Sequence, residues 1–221
     1  MNVTEAVAAR RSVRGFLDMA VDPSILKAIV TKAARAATGG NLQPWHIDLI
    51  TGESLTALKA IMMAKLVAGE TEPPSYAIYP PQLTAPYRDR RFAVGEAMYA
   101  ELGIPREDKA ARRMWFARNF QFFGAPAALF CTVDRQMGPP QWADLGMYLQ
   151  TVMLLAVEAG LATCAQECWA MYPETITGFL GTPAERMLFC GMAIGYEDPD
   201  EPANRLRSAR ATEEEWLTVR T

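Results

Sequence analysis

Two short segments hold most of the chemistry available to this chain, Arg10-Arg11-Ser12-Val13-Arg14 and Thr38-Gly39-Gly40-Asn41-Leu42-Gln43-Pro44-Trp45. The first concentrates three guanidiniums and a hydroxyl in five residues at the end of a short helical stretch. Guanidinium binds oxyanions bidentately without losing its charge, which suits a phosphate. The second is a glycine-rich loop that opens a strand and carries side-chain amides and a hydroxyl. Small residues with free main-chain amides allow a polar, planar ligand to come close. Each segment alone also has an ordinary structural reading. Adjacent arginines can be a solvated face, and Gly-Gly-Asn can be a helix stop.

The rest of the composition narrows the classes. The chain has 221 residues, half of them apolar, with a net charge of −3. That length supports one well-packed domain over 1–221, and the acidic balance argues against a nucleic-acid partner. No apolar run approaches the roughly 20 residues that span a bilayer. The first residues, Met1-Asn2-Val3-Thr4-Glu5, lack a basic and apolar leader, so a cytoplasmic location is expected. Cys131, Cys164, Cys168 and Cys190 lie in apolar, strand-like surroundings and read as buried, reduced thiols. Cys164 and Cys168 have no second cysteine pair, and the only histidine, His46, is distant, so no metal site is expected. His46 itself reads as packing more readily than as a site residue.

The elements that must position the two segments follow from periodicity. Asp22-Pro23 caps an apolar stripe at Ile25, Leu26, Ile29, Val30, Ala33, Ala34 and Ala37, a helix expected to end at Gly39-Gly40. Trp45, Ile47 and Leu49 alternate with His46 and Asp48, which predicts a half-buried strand. Leu55 to Leu66 reads as a helix. Prolines 73, 74, 80, 81 and 86 exclude regular structure over about 71–90 and mark a functional loop or lid, while Tyr76, Tyr79 and Tyr87 argue that it packs. Helices are expected over 91–103 and 106–122, and a strand at 127–133. The stretch from Trp142 to Ala159 is apolar on too many sides for a surface helix and reads as a buried central column. A strand at 162–167, a helix at 173–180, a strand at 187–195 and a polar tail from 196 complete the chain. Helices alternate with fewer strands, a mixed α+β or α/β sheet covered by helices.

Together, in this order and at this separation, the two segments resemble the nitroreductase family of FMN-dependent NAD(P)H oxidoreductases, whose members carry an R-R-S-x-R start and an S/G-G-N-x-Q-P-W loop. The resemblance extends over nearly the whole chain. Asp144-Leu145-Gly146, Gln150, Leu154 and Gly160-Leu161 are similar to the family's central helix. Ala165-Gln166-Glu167-Cys168-Trp169 falls where members have a P-x-E-G/A turn beside the flavin, with Ala165 replacing the usual proline and Cys168 the usual small residue. Phe189 to Tyr196, followed by Arg205, Arg207 and Arg210, is similar to the last strand and tail.

That likeness implies a nitroreductase-like fold with a mostly antiparallel sheet and an intertwined homodimer. It implies FMN as cofactor and NAD(P)H as electron donor, with ping-pong hydride transfer to a nitroaromatic or quinone. Arg10, Arg11 and Ser12, with Arg207 and Arg210, would hold phosphate or ribityl groups, Arg205 being an alternative within the tail. Arg14 would face the N1/O2 end of the ring, where fixed positive charge favours the reduced form. Thr38, Gly39, Asn41 and Gln43 would bind the cofactor, Asn41 and Gln43 from the neighbouring subunit. Ala165, Gln166 and Glu167 would line the ring, with the main chain of Glu167 at N5. No nucleophile is required, because the cofactor carries the chemistry. The insertion resembles that of nitrobenzoate reductases and is expected to set acceptor preference, with the aromatic run Trp115–Phe123 stacking a ring and Arg88, Arg90 and Arg91 attracting an anionic substituent. The same scaffold put to an ene reduction or dehalogenation, or a flavin-binding protein without turnover, stays open at this point.

Overall fold

The computed structural model describes residues 1–221 and contains seven α-helices and one four-stranded sheet. Strands β1 (His46–Thr51), β2 (Ala127–Asp134), β3 (Ala162–Gln166) and β4 (Arg186–Gly195) lie in the order β1-β2-β4-β3, every pair antiparallel. The one parallel contact is a bridge between Ser12 and Thr163 on the free edge of β3. β2 and β4 are central and buried almost throughout, as their unbroken apolar sequences require.

Alternation along β2 separates two cores. Ala127, Leu129, Cys131 and Val133 face helices α2 (Pro23–Ala33) and α6 (Pro139–Glu158). Ala128 and Phe130 face the opposite layer, where α3 (Gly52–Ala68) and a 3-10 turn at Arg118–Gly124 pack around Trp169. Trp169 is fully buried, stacked on Phe122 at 4.5 Å and met edge-on by Phe120 and Phe130. Gly191 makes room for it, since a Cβ there would lie 2.4 Å from Trp169 Cδ1.

Four expectations need correcting. The helix begun at Pro23 ends at Ala33 rather than at Gly39, because its last amides tighten into i→i+3 bonds (Ala34 to Thr31, Ala36 to Ala33). Residues 106–122 are not one helix. Helix α5 (Lys109–Ala117) gives way to the 3-10 turn, where Phe122 and Phe123 adopt positive φ and drive their rings into the core. Helix α4 (Tyr87–Glu101) starts inside the proline-rich stretch, and none of its residues is buried. Finally, α6 is not a column buried on all sides within one chain. Leu145, Tyr148, Leu149, Val152 and Ala156 are buried, while a second stripe through Gly146, Met147, Leu154 and Val157 stays at or near the surface. No atom comes within 4 Å of a Cβ built at Gly146, and Met147 is 42% exposed.

All four cysteines are free and buried. No helix is long and apolar enough to cross a membrane.

Candidate active site

The N-terminal arginine motif and the C-terminal tail meet in one cavity. Helix α1 (Val3–Ala9) is closed by a reciprocal capping box, Glu5 N–H to Asn2 Oδ1 at 3.0 Å and Asn2 N–H to Glu5 Oε2 at 2.8 Å. The chain leaves it in extended form at Arg10. In an extended segment alternate side chains share a side. Arg10, Ser12 and Arg14 line a cavity of about 500 Å³, and Arg207, Ser208 and Arg210 line the same space from the tail. No carboxylate lines it. Arg207 Nη1 donates to the main-chain oxygens of Asn204, Arg205 and Leu206 at 2.8–3.2 Å, and Arg210 Nη1 to Ser208 and Ala209 at 2.8–3.1 Å. These acceptors are neutral, so the positive charge is uncompensated and fits a dianionic phosphate. Arg205 does not line the cavity, which selects Arg207 and Arg210 within the tail.

Arg11 has a different job. It borders the cavity, but its Nη2 donates to both carboxylate oxygens of Glu197. This pair pins the segment to the end of β4 and partly compensates the Arg11 charge, so Arg11 lines the cavity with an acidic partner that Arg10 and Arg14 lack. Asn204 is the residue that sequence reasoning missed. It is buried, accepts from Arg14 N–H at 2.7 Å, and donates to Gly15 and Asp198 carbonyls at 2.9 and 2.8 Å. Gly15 makes room for the neighbouring Glu201, since a Cβ there would sit 2.2 Å from Glu201 Cγ. An asparagine in a proline-flanked turn signals a turn, and nothing local announces a partner 190 positions away.

Beyond Arg14 lies the end of β3. Val13 N–H bonds Thr163 carbonyl at 3.0 Å, which fixes the motif against the edge strand. Ala165 and Glu167 are exposed there and Gln166 is buried, again by alternation. The Gln166 amide donates to Asn119 carbonyl at 2.8 Å and its oxygen accepts from Trp169 Nε1 at 3.3 Å. Its side chain therefore holds the turn from within, and only its main chain is left for a ligand. Desolvation by surrounding protein raises the Glu167 carboxyl above its ordinary value although the residue is open to solvent. Burial likewise pushes the Cys168 thiol far up, so it is a neutral wall rather than a nucleophile.

The glycine loop stands elsewhere. Gly39–Asn41 forms a 3-10 turn, with positive φ at Gly40, Asn41 and Gln43. Gly39 N–H is held by Asp144 of α6 at 3.2–3.3 Å, and Gln43 N–H by Thr38 Oγ1 at 3.4 Å. None of these residues lines the arginine cavity. Asp144 is near the start of α6, whereas Arg11 and Val13 lie against Val157 and Gly160 at its end. Thirteen helical residues separate Asp144 from Val157, about 20 Å along the axis. His46 is also remote from the cavity; desolvation and the nearby Arg186 hold its imidazole below the ordinary value, as packing predicts.

Comparison with known proteins places this geometry. The family model described as "Nitroreductase family" matches residues 7–196. The chain belongs to the nitroreductase family. It is 36% identical over 204 residues to a 4-nitrobenzoate reductase of Pseudomonas putida, covering 92% of this chain and 89% of that one. It is 35% identical over 220 residues to a nitrobenzene nitroreductase of Ectopseudomonas oleovorans, with 98% and 96% covered. Among solved structures it superposes on the FMN and NADPH-dependent nitroreductase NfnB from sphigopyxis sp. strain HMH with a TM-score of 0.96 and 49% identity over 100% of both chains. The FMN-dependent nitroreductase NfnB from Mycobacterium smegmatis, solved with NADPH, gives a TM-score of 0.93 at 25% identity, again over 100% of both.

In this nitroreductase the proline-rich insertion is half anchored and half open. Glu72 accepts from the main-chain amides of Glu174 and Thr175 at 2.7 and 3.2 Å, Ser75 N–H bonds Ala170 carbonyl at 2.9 Å, and Tyr76 hydroxyl bonds Phe189 carbonyl. Residues 72–76 are thus fastened to the body, as the aromatic content predicted. The three arginines that follow separate by partner. Arg90 pairs with Glu215 of the tail at 2.7 Å, Arg88 with its neighbour Asp89 at 2.9 Å, and Arg91 lies over the Tyr79 ring at 3.9 Å with no acid.

Proposed function

We propose that this chain is an FMN-dependent NAD(P)H oxidoreductase that reduces nitroaromatic acceptors, and that it acts as a two-fold homodimer with shared sites. The observation that carries the reading is the cavity in which Arg10, Ser12 and Arg14 meet Arg207 and Arg210 without a single carboxylate. Its donor set matches a phosphomonoester dianion, and the family membership makes FMN that phosphomonoester. When bound, FMN supplies the hydride acceptor and donor that no side chain provides.

The chain's own residues bind and orient. Arg10, Arg207 and Arg210 hold phosphate, and Ser12 adds a hydroxyl donor. Arg14 lies between that cradle and β3, where its charge already offsets part of the burial effect on Cys164. There it serves as the fixed cation beside the polar edge of the ring, favouring the reduced form. The exposed turn at Ala165–Glu167 offers main-chain groups, stiffened from behind by Gln166.

Distance supports the dimer. Asn41 and Gln43 stand at one end of α6 and Arg14 at the other, too far apart to reach the polar edge of a single ring. Antiparallel contact of two α6 surface stripes around a two-fold axis would bring each loop to the partner's arginine cradle. An interface of that kind is isologous.

The test is direct. Supernatant from heat-denatured protein should contain FMN in a one-to-one ratio with the chain, and supplying a nitroaromatic should turn a single-equivalent oxidation of NADPH or NADH by the holoprotein into continuous turnover. No flavin released and none taken up by apoprotein would overturn the reading.

A further inference from the structure

A second cavity, of about 500 Å³, adjoins the phosphate cradle and shares Arg14 with it. Its walls are aromatic, Tyr79 from the insertion with Phe92 and Tyr99 from α4, and two of its lining residues are Arg88 and Arg91. Flat apolar walls suit a ring that stacks. The charges do not all remain available. Glu96, the one acid on the wall, is engaged by Arg112 at 2.5 and 3.1 Å. Arg88 shares its charge with Asp89. Arg90 does not line this cavity and is tied to Glu215. Arg91 alone among the three combines a place on the wall, a seat on an aromatic face that orders its guanidinium, and no carboxylate partner.

We propose that Arg91, held over Tyr79, recognises an anionic group on the compound that exchanges hydride with the flavin. The inference rests on the flavoenzyme reading above and assigns its charge selectivity to one residue. The recognised chemistry is an oxyanion on a ligand that also has a stacking ring. Two sources carry it, a carboxylate on an aromatic acceptor and the 2′-phosphate that distinguishes NADPH from NADH.

Steady-state kinetics of the holoenzyme on two matched pairs separate them, 4-nitrobenzoate against nitrobenzene with NADH as donor, and NADPH against NADH with nitrobenzene as acceptor. Arg91→Met should lower kcat/KM for the charged member of one pair about ten-fold, the scale of a charge-assisted contact. The uncharged member should stay within about two-fold, and Arg91→Lys should recover part of the loss. The pair that responds names the source. Arg106→Met is the control, because Arg106 also covers an aromatic ring, Phe92 at 5.2 Å, but does not line the cavity. It should change neither pair.

Equal losses on charged and uncharged members would reduce Arg91 to packing and overturn the proposal, as would no loss on either pair. Both outcomes leave reduction of nitrobenzene by NADH in the unsubstituted enzyme intact. Absence of reduction of every nitroaromatic tried, with NADPH as well as NADH, would instead defeat the flavoenzyme reading itself.

Discussion

The arginine cradle and the glycine loop are equally conspicuous as sequences, yet one chain completes only the first. The cradle is fastened on every side, by Glu197 through Arg11, by Asn204 through Arg14 and Gly15, and by Thr163 through Val13. It joins residues almost 200 positions apart into one cavity. The loop has a single side-chain hydrogen bond to the rest of the fold, from Gly39 to Asp144, besides the stacking of Trp45 on Tyr148, and borders none of the larger cavities. A polar motif can be fully formed locally and still border no cavity of its own chain. What decides its use is where α6 places it, and α6 places it at the far end.

The comparison breaks most severely if the two halves never need each other. Gly146→Arg puts a long cation on the exposed α6 stripe at a position where a Cβ meets nothing, and replacing glycine within a helix gains about 0.5–1 kcal/mol of propensity. The chain should still fold. It should sediment as a monomer and bind FMN at least about a hundred-fold more weakly, since losing the partner's loop removes several polar contacts at once. A monomer with undiminished FMN affinity would mean that the cradle suffices alone. A persistent dimer would move the interface off this stripe.

Asn204→Ala sharpens the same contrast from the cradle's side. It deletes three hydrogen bonds of a buried side chain and leaves Arg14 N–H and two carbonyls without their partner. A stability loss of about 2–3 kcal/mol is expected in thermal or denaturant melts. FMN affinity should fall with it, because Arg14 and Arg207 lose the hinge that makes them neighbours. Unchanged affinity in a destabilised protein would separate the hinge from the site.

Arg10→Ala removes one cation and leaves the frame. One charge-assisted contact of about 1.5–3 kcal/mol corresponds to roughly ten-fold weaker FMN binding or more. The loss should shrink as salt is raised, since the cavity is open to solvent and its charges are screened. A titration at low and high ionic strength that showed no difference between variant and parent would remove Arg10 from the phosphate.

How much of this was legible depends on which interactions are local. The apolar central strands follow from unbroken runs such as Ala127–Val133, whereas the antiparallel pairing and the choice of Arg207 and Arg210 in the tail come only through the family resemblance. A cluster of three arginines within 10–14 gives no reason to set Arg11 apart from its neighbours. Read as extended backbone, the same five residues alternate, and 10, 12 and 14 part from 11 and 13. The break at Phe122 and Phe123 could not be read, since a helical pattern gives no warning of positive φ forced by packing against Trp169. Nor could the burial of α6 be read, since apolarity on two faces does not tell which stripe the chain itself covers and which it leaves at the surface.

The smallest effect tests the weaker half. Asp144 is buried, and both of its oxygens reach Gly39 N–H only at 3.2–3.3 Å. Bonds of that length from one donor contribute less than a short charge-assisted pair. Asp144→Ala should therefore cost only about 1 kcal/mol or less in stability, partly offset because an isolated buried carboxylate is itself unfavourable. Asp144→Asn keeps an acceptor and should cost less still. The informative readout is amide exchange rather than melting. In Asp144→Ala the Gly39 amide should exchange faster, while the Val13 amide, bonded to Thr163 on the cradle side, should keep its rate. FMN affinity should drop by only a few-fold, through a loop that is looser but still present. If Val13 also exchanged faster, the two halves would be coupled through α6 within one chain, and the independence on which the comparison rests would be lost.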